Sequence, residues 1–257
     1  MAAKVIVITG ASGGIGAALA KQLAARGEKV VLAARRAAEL KQVASQCGAD
    51  ALAVVTDVTR RSDVEHLRDE ALRAFGHVDV WINNAGRGIG RSVLDLTDED
   101  FDEMMAINAK SALYGMQAIV PHFRERGVGH LINISSTLGR VPFASYRSAY
   151  SAAKAALGSL TATLRMDLRA EYPDIHVSLV VLPMVSSDFA KNALYGTPVP
   201  PGGFRSGSVP QTPEEAAAAI VELIDHPRAE IYTNPGQAEM VARYYADVEA
   251  FEENIGR

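Results

Sequence analysis

The sequence contains a single cysteine, Cys47, so an internal disulfide is excluded. Cys47 lies in a helical pattern, where a buried and inert thiol is the usual case. The first apolar run, at residues 5–8, is too short for a signal sequence and leads directly into a glycine turn. These features predict a protein of the reducing cytoplasm.

Long apolar runs, strong net charge and metal-binding patterns are also missing. No stretch of about eighteen apolar residues occurs, which excludes a membrane-spanning helix. The formal net charge of −4 provides no basic field for nucleic acid or an anionic membrane. The six histidines have no metal-ligand spacing and no cysteine partners, so no metal site is expected. We therefore expect a small-molecule partner.

Short β-branched runs alternate with longer amphipathic segments along the chain. Strands are predicted at residues 5–9, 30–34, 51–56, 78–83, 130–135, 176–182 and 231–233. Helices are predicted at residues 14–26, 37–47, 61–75, 98–126 with a break, 149–169, 213–225 and 239–253. Several strands are apolar at successive positions, which is typical of strands covered on both faces. The pattern predicts an α/β fold with a doubly wound, seven-stranded, mostly parallel sheet and helices on both faces.

Residues 1–257 are expected to form one domain, because 48% of them are hydrophobic and no interdomain linker is visible. Two helix starts carry capping patterns, one at Thr97 and one at Thr212 followed by Pro213. Residues 195–210 are rich in glycine, proline and serine and predict a loop. This loop is either a solvated connection or a flap over a ligand site within residues 190–212.

Three glycines, Gly10, Gly14 and Gly16, follow the first predicted strand and open the first predicted helix. Glycines in such a turn let the backbone approach a pyrophosphate, and the helix start supplies N–H groups and a positive dipole end. The pattern indicates a phosphate-binding turn. A glycine turn present for steric reasons alone is the alternative.

The spacing Gly-x-x-x-Gly-x-Gly, together with Asn83-Asn84-Ala85-Gly86 after the fourth strand, resembles the short-chain dehydrogenase/reductase family in its compact single-domain form. The resemblance covers residues 4–189. It implies a Rossmann-type fold that binds a nicotinamide dinucleotide. The cofactor contacts that it implies are Gly10, Ser12, Gly14, Ile15, Gly16, Arg35, Arg36, Asp57, Val58, Asn84, Ala85, Gly86, Tyr150, Lys154, Pro183, Val185 and Ser187. Without the resemblance, Asp57 would be interpreted as a turn or cap residue.

The end of the second strand indicates which nicotinamide cofactor is bound. An acidic residue there accepts the ribose hydroxyls of NAD, and a basic one accommodates the 2′-phosphate of NADP. The family's acidic position is filled by Ala34 and is followed by Arg35 and Arg36, with Ser12 as a possible helper. NADP(H) is favoured and NAD(H) remains possible. Alternatively, both arginines are solvated at a strand–helix junction.

Tyr150 and Lys154 are four residues apart in a predicted helix. Such residues project from one face, with about 6 Å between their Cβ atoms. A cation at that distance favours the phenolate, so we expect the pKa of Tyr150 to fall towards neutrality. A phenol with such a pKa suits proton exchange with an alcohol or ketone.

The family resemblance adds two residues and assigns roles. Ser136 lies fourteen residues before Tyr150, and Asn108 matches an asparagine in the preceding long helix. The resemblance implies that Tyr150 is the general acid or base and that Ser136 polarises the carbonyl oxygen. It also implies that Lys154 holds the nicotinamide ribose and tunes Tyr150, and that Asn108 fixes a water in the proton relay.

The segment after the sixth strand departs from the family pattern, because Pro183 is not followed by glycine. Either Met184 replaces the glycine or the glycine is deleted, which brings Ser187 to the place of a nicotinamide-binding threonine; we favour the deletion. The predicted substrate-pocket residues are Thr137, Leu138, Phe143, Tyr146, Met184 and Phe189. This mostly apolar set indicates a medium-sized ketone or secondary alcohol.

The sequence therefore predicts an NADP-dependent oxidoreductase that moves a hydride between a nicotinamide cofactor and a ketone or secondary alcohol. The alternative is a non-catalytic NADP-binding regulatory protein of the same fold. A pure binder needs no phenol beside a lysine, which favours the enzyme. The resemblance also implies a homodimer or homotetramer.

Overall fold

A computed structural model describes residues 3–196 and 210–255 of the chain. Its strands are β1 (Val5–Thr9), β2 (Lys29–Ala34), β3 (Ala51–Val55), β4 (Val80–Asn83), β5 (Gly129–Ser136), β6 (Ile175–Leu182) and β7 (Glu230–Tyr232). Its α-helices are α1 (Gly14–Ala25), α2 (Ala37–Cys47), α3 (Arg61–Phe75), α4 (Asp98–Met105), α5 (Ser111–Arg126), α6 (Ser148–Arg169), α7 (Pro213–Asp225), α8 (Pro235–Ala246) and α9 (Val248–Ile255).

The strands form one sheet in the order β3-β2-β1-β4-β5-β6-β7. Every strand pairing within the described ranges is parallel. The predicted doubly wound, Rossmann-type architecture is confirmed, and the sheet is parallel throughout the part that the structure describes. The chain reverses its winding direction between β1 and β4, where ligands bind in folds of this kind.

Both faces of the sheet are covered by helices. Ile6 and Ile8 of β1 pack on the side that also contains buried residues of α1 and α7. Val5 and Val7 of the same strand pack on the opposite side, with buried residues of α3, α5 and α6. Successive side chains of a strand alternate between faces, so each apolar residue of β1 has a layer of helices to contact.

The predicted helix starts are confirmed. The hydroxyls of Thr97 and Thr212 each accept a hydrogen bond from the backbone three residues on and complete capping boxes at α4 and α7. The predicted break in the helix at residues 98–126 is a π-helical turn, Ala106–Lys110, between α4 and α5. Such turns are rare and are frequent at functional sites.

The single helix predicted at residues 239–253 is wrong. The chain forms α8 and α9 instead, separated at Asp247, whose carboxylate accepts from the backbone of Ala250 at 3.0 Å. Helix α8 begins earlier than predicted because Asn234 caps it, with Pro235 in its first turn and Gln237 completing a capping box. These residues carry a capping pattern that sequence analysis missed.

The carboxyl ends of β1, β4, β5 and β6 meet at one edge of the sheet. The glycine turn follows β1, Asn84 follows β4, Ser136 ends β5 and Pro183 follows β6. Of the loop predicted at residues 195–210, residues 197–209 lie outside the described ranges. None of the helices within the described ranges is both long and apolar enough to span a bilayer.

Candidate active site

The glycine turn after β1 packs tightly against the end of β4. Gly10 has a φ of 70°, in the left-handed region that glycine favours, and a Cβ there would lie 2.8 Å from the Cα of Ala85. A Cβ on Gly16 would lie 2.5 Å from the carbonyl oxygen of Gly10. The side chain of Asn84 donates to the carbonyl oxygen of Thr9 at 2.9 Å. The residues after β4 therefore hold the turn in place.

The start of α1 has the donor set that an anion requires. Among the described residues, no side chain caps this helix at Gly13, and its first turn contains no acidic residue. Helices α4, α7 and α8, by contrast, all begin with capping boxes. The N–H groups and positive dipole end of α1 thus suit a dinucleotide pyrophosphate. A Cβ on Gly14 would lie 3.5 Å from the Cβ of Ser187, so the segment after β6 borders the same space.

Four apolar residues predicted to contact the cofactor are partly or fully buried: Ile15, Val58, Pro183 and Val185. Ile15 and Val185 pack against the core cluster that includes buried residues of α1. Val58 belongs to the core cluster on the opposite face of the sheet. The structure therefore places Ile15 and Val185 on the side of the glycine turn and makes Val58 part of the core.

Arg36 lies across the glycine turn. Its Nε and Nη2 atoms donate to the hydroxyl oxygen of Ser12 at 3.2 and 3.0 Å. Its Nη1 atom lies 3.5 Å from the carboxylate of Glu39, and both side chains are about half exposed. Ser12 and Arg36 are thus hydrogen-bonded to each other, and their binding of a 2′-phosphate stays a prediction.

Asp57 forms the turn after β3. Its Oδ1 atom accepts from the amide and the hydroxyl of Thr59 at 3.1 and 2.7 Å. Burial raises the pKa of this carboxyl, but the hydrogen bonds from Thr59 and the nearby charge of Arg35 lower it overall. These contacts match the interpretation of Asp57 as a turn residue, and its contact with the cofactor stays a prediction.

Tyr150 and Ser136 form the centre of the site. Tyr150 is in the first turn of α6, Ser136 ends β5, and the hydroxyl of Ser136 lies close enough to the phenol to lower its pKa. The amide of Leu138 donates to the hydroxyl oxygen of Ser136 at 3.2 Å. Because that oxygen accepts from Leu138, the hydroxyl of Ser136 can donate to the phenol oxygen.

Lys154 lies one helical turn after Tyr150 and is buried. Its Nζ atom donates to the carbonyl oxygen of Ile134 at 2.8 Å and lies 5.8 Å from the centre of the Tyr150 ring. Burial lowers the pKa of this ammonium to about 8, so it remains mostly protonated at pH 7.

The expectation that the pKa of Tyr150 falls towards neutrality is wrong for this structure. Burial raises the pKa of Tyr150 to about 12, although the hydrogen bond from Ser136 and the charge of Arg147 both lower it. The phenol is only 8% exposed, and removing a phenolate from water costs more than these two contacts recover. Tyr150 is therefore neutral at physiological pH, as a proton donor must be.

Asn108 lies in the π-helical turn and is buried. Its amide nitrogen donates to the carbonyl oxygens of Arg87 and Met104 at 2.9 and 3.1 Å, and its Oδ1 atom accepts from the amide of Arg87 at 3.1 Å. A Cβ on Gly86 would lie 2.9 Å from this Oδ1 and 3.5 Å from the Nζ of Lys154. Asn108 thus ties the loop after β4 to the helix and borders Lys154 across Gly86.

A row of buried polar side chains below the site was not predicted. Asn83 accepts from the indole of Trp81 at 2.9 Å and donates to Asn133 at 2.8 Å. Asn133 in turn donates to the hydroxyl of Thr161 at 2.9 Å. The row links β4, β5 and α6, the elements that carry the site. The sequence contained a hint of this row, because each of the two neighbouring strands carries an asparagine and the two asparagines pair in register.

The predicted substrate residues are only partly brought together. Phe189 packs edge-on against Tyr150 with 5.5 Å between ring centres, and Leu138 joins the same apolar cluster. Tyr146 lines a cavity of about 670 Å³ with Gly90, Arg91, Ser92, Asp95 and Tyr195. The hydroxyl of Thr137, however, donates to the carbonyl oxygen of Leu182 at 3.0 Å. Phe143 and Met184 are 42% and 54% exposed.

Arg147 is a site residue that sequence analysis did not identify. It precedes α6, is only 7% exposed, and its charge acts on the phenol of Tyr150. Its place next to the start of α6, three residues before Tyr150, was the only hint in the sequence.

Residues 4–196 match the family model described as short chain dehydrogenase. A curated relative, the uncharacterized oxidoreductase YxnA of Bacillus subtilis (strain 168), is 36% identical over 93% of this chain and 67% of its own length. A short chain dehydrogenase/reductase from Burkholderia phymatum, solved with NAD, has a TM-score of 0.86 at 29% identity and covers 96% of this chain and 95% of its own. An alcohol dehydrogenase from Thermococcus sibiricus, solved with 5-hydroxy-NADP, has a TM-score of 0.78 at 27% identity over 90% of this chain and 96% of its own.

The family model covers three quarters of the chain, and the glycine turn, strands β1 to β6 and the Ser136–Tyr150–Lys154 cluster lie within it. The chain belongs to the short-chain dehydrogenase/reductase family of oxidoreductases, which use a nicotinamide cofactor.

Proposed function

We propose that the protein is an NADP-dependent oxidoreductase that interconverts a ketone and a secondary alcohol, with Tyr150 as the general acid and base. The position of the Ser136 hydroxyl beside the phenol of Tyr150, where it lowers the pKa of the phenol, supports this proposal most directly. It places two hydroxyl groups together at the carboxyl edge of the sheet, on the side of the glycine turn. Two donors aimed at one oxygen stabilise the negative charge that develops there when a carbonyl is reduced.

The bound cofactor supplies the hydride in reduction and accepts it in oxidation. In reduction, Ser136 polarises the carbonyl oxygen, and the phenol of Tyr150 transfers its proton to that oxygen as the negative charge develops. In oxidation, Tyr150 takes the proton back. Burial of the phenol excludes water from this exchange.

Lys154 supports Tyr150 in two ways. Its ammonium, held by the carbonyl oxygen of Ile134, lies 5.8 Å from the centre of the phenol ring and stabilises the phenolate that forms when the proton leaves. Its remaining N–H donors would hold the ribose of the nicotinamide when the cofactor is bound.

The preference for NADP is supported by the two arginines after β2. The solved relatives hold NAD in one case and an NADP derivative in the other, so the fold accepts either cofactor. Arg36 lies on Ser12 at the glycine turn, and no carboxylate occupies the position of Ala34. A 2′-phosphate at that corner would meet a planar cation that donates two hydrogen bonds.

Replacing Tyr150 by phenylalanine tests the catalytic role. Tyr150→Phe should bind NADPH as the wild type does and lose about 10²- to 10⁴-fold in kcat for a panel of carbonyl compounds, because the proton donor is gone. Tyr146→Phe is the matched control and should keep the proton transfer. Unchanged kcat in Tyr150→Phe would refute the proposal. Tight NADPH binding without turnover of any carbonyl by the wild type would favour a non-catalytic regulator.

A further inference from the structure

The buried amide of Gln237 joins the C-terminal helix α8 to the active-site strand β5. Among the residues of α8, all of which the structure describes, Gln237 alone is buried, and it is 4% exposed. Helices are usually anchored by apolar side chains, because removing a polar group from water costs free energy unless the group is hydrogen-bonded. A glutamine at this position therefore indicates a hydrogen-bonding role rather than a packing role.

Both polar atoms of the Gln237 side chain have partners. The Oε1 atom accepts from the backbone amide of Asn234 at 3.1 Å, which completes the capping box at the start of α8. The Nε2 atom donates to the hydroxyl oxygen of Thr137. The first bond fixes the side chain to its own helix, and the second ties that helix to the residue that follows Ser136.

Thr137 is held from two further sides. Its hydroxyl donates to the carbonyl oxygen of Leu182, at the end of β6, at 3.0 Å. Its carbonyl oxygen accepts from the amides of Arg140 and Val141 at 2.9 and 2.8 Å, which closes a tight turn after β5. A hydroxyl that donates to Leu182 still has lone pairs with which to accept from Gln237, so the two bonds are compatible.

The turn after β5 sets the position of the Ser136 hydroxyl. The amide of Leu138 donates to this hydroxyl at 3.2 Å, and Leu138 is the central residue of the turn Thr137–Gly139. A shift of Thr137 moves this amide, and the direction of the Ser136 hydroxyl changes with it. Such shifts matter at a reacting group, where a displacement of about 1 Å can cost about 100-fold in rate.

A second residue of α8 contacts the same turn. The hydroxyl of Tyr245 donates to the carbonyl oxygen of Arg140 at 3.1 Å, and the guanidinium of Arg140 pairs with Glu230 of β7. The C-terminal elements thus hold the turn at its beginning, through Gln237, and at its end, through Tyr245. Both residues of α8 lie beyond residue 196, where the match to the family model ends.

On the basis of the function proposed above, we propose that Gln237 is a positioning residue for the reduction of the substrate carbonyl. It acts through Thr137, whose place in the turn directs the hydroxyl of Ser136 at the carbonyl oxygen. Gln237 takes no part in the proton transfer, which belongs to Tyr150. The C-terminal helix α8 is thereby a working part of the active site and not only a cover of the sheet edge.

Removing the donor of Gln237 tests the proposal. Gln237→Met should lower kcat for a carbonyl substrate about 10- to 100-fold, because Ser136 is displaced. The KM and the dissociation constant of NADPH should change little, because the lost contact matters only in the transition state. Thr137→Val, which removes the hydroxyl that accepts from Gln237, should act in the same way and replaces Gln237→Met if that variant does not fold. Thr137→Ser keeps the hydroxyl and should keep most of kcat.

Asn234→Ala is the matched control. It removes the side chain that accepts from the amide of Gly236 at 3.0 Å and so weakens the cap of the same helix. Both bonds of Gln237 remain, because its partner at residue 234 is the backbone amide. Asn234→Ala should therefore leave kcat nearly unchanged. A loss equal to that of Gln237→Met would overturn the proposal, because the stability of α8 would then be the cause.

A double-mutant cycle shows whether Gln237 acts through Ser136. If it does, Gln237→Met should cost little further kcat in a protein that already carries Ser136→Ala, because the hydroxyl to be positioned is gone. Losses that multiply in the double variant would overturn the proposal, because Gln237 would then act independently of Ser136. An unchanged kcat in Gln237→Met alone would also overturn it.

Hydrogen exchange separates this proposal from the proposed function, because it requires no turnover. The amides of Leu138, Arg140 and Val141 should exchange faster in Gln237→Met than in the wild type, and in Asn234→Ala at the wild-type rate. If these rates appear and the wild type turns over no carbonyl compound, the positioning of the turn stands and the proposed activity fails. Equal exchange rates in the wild type and Gln237→Met overturn the positioning whatever the turnover.

Discussion

The ammonium of Lys154 is held by the carbonyl oxygen of Ile134, at 2.8 Å, rather than by the phenol of Tyr150. Ile134 is two residues before Ser136 in β5, so one strand positions both the cation and the hydroxyl donor of the site. The four-residue spacing of Tyr150 and Lys154 brings them to one helical face, and the hydrogen bond to β5 then fixes the position of the ammonium, 5.8 Å from the centre of the Tyr150 ring.

This arrangement predicts a pH dependence of cofactor binding. Burial lowers the pKa of Lys154 to about 8, so the ammonium loses its proton as the pH rises through that value. NADPH binding should weaken about tenfold between pH 7 and pH 9.5, because a charged donor becomes neutral. The dissociation constant, measured by NADPH fluorescence across this range, checks the expectation.

The lysine variants identify the source of that pH dependence. Lys154→Met should bind NADPH weakly at all pH values, and its dissociation constant should no longer show the step, the rise near pH 8. Lys110→Met removes an exposed lysine from the π-helical turn and should keep the step. A step that persists in Lys154→Met would assign it to another group.

Adjacent serines in β5 offer a matched pair. The hydroxyl of Ser136 lies beside the phenol of Tyr150 and lowers its pKa, whereas the hydroxyl of Ser135 donates to the backbone carbonyl oxygen of Lys154 at 3.3 Å. Ser136→Ala should lower kcat about 10²- to 10³-fold, the effect of removing one donor from a developing oxyanion. Ser135→Ala should change kcat far less. Comparable losses in the two variants would show that the strand, and not the Ser136 hydroxyl, matters.

The features predicted well from the sequence are local ones. The glycine turn and the capping boxes at Thr97 and Thr212 depend on residues within a few positions of one another. The strands of the sheet centre were recognisable because both of their faces are apolar. The two C-terminal helices were merged into one because Asp247 breaks a periodic pattern only by capping the helix that follows.

The features not predicted depend on tertiary burial. The pKa of Tyr150 was expected to fall because Lys154 lies one turn away, yet burial of the phenol raises it to about 12. The contact of Arg147 with Ile89 joins residues far apart in the chain. Helical spacing identified the face on which Tyr150 and Lys154 lie, but not how much water reaches them.

The arginines after β2 predict cofactor selectivity. Arg36→Ala should weaken NADPH about 10- to 100-fold and leave NADH nearly unchanged, because a charge-assisted contact to the 2′-phosphate is lost. Arg35→Asp should shift the ratio of the two affinities in the same direction by placing a carboxylate near the ribose. Arg60→Ala, an exposed arginine before α3, is the control. If the NADPH-to-NADH ratio stays constant in Arg36→Ala, that residue does not bind the phosphate.

His130 has a buried side chain far from the site whose protonation state follows from its contacts. The hydroxyl of Ser178 donates to the carbonyl oxygen of Arg228 at 2.6 Å, so the Nε2 of His130 donates to Ser178 at 2.8 Å. Its Nδ1 atom has no hydrogen-bond partner among the described residues. Burial, with a further contribution from the charge of His176, lowers the pKa of His130 to about 3. The ring is thus neutral in the folded protein at all but very acid pH.

Because the unfolded chain binds a proton at His130 near pH 6.5 and the folded protein does not, this histidine destabilises the fold as the pH falls from 6.5 towards 3. The free energy of unfolding should drop by about 2 kcal/mol between pH 7 and pH 5 from this group alone. His130→Gln should lose that part of the slope, and His226→Gln, at the exposed end of α7, should keep it. Urea unfolding at several pH values measures the slopes. Identical slopes in wild type and His130→Gln would mean that the folded protein accepts the proton at His130, and that the ring is less buried in solution than its contacts require.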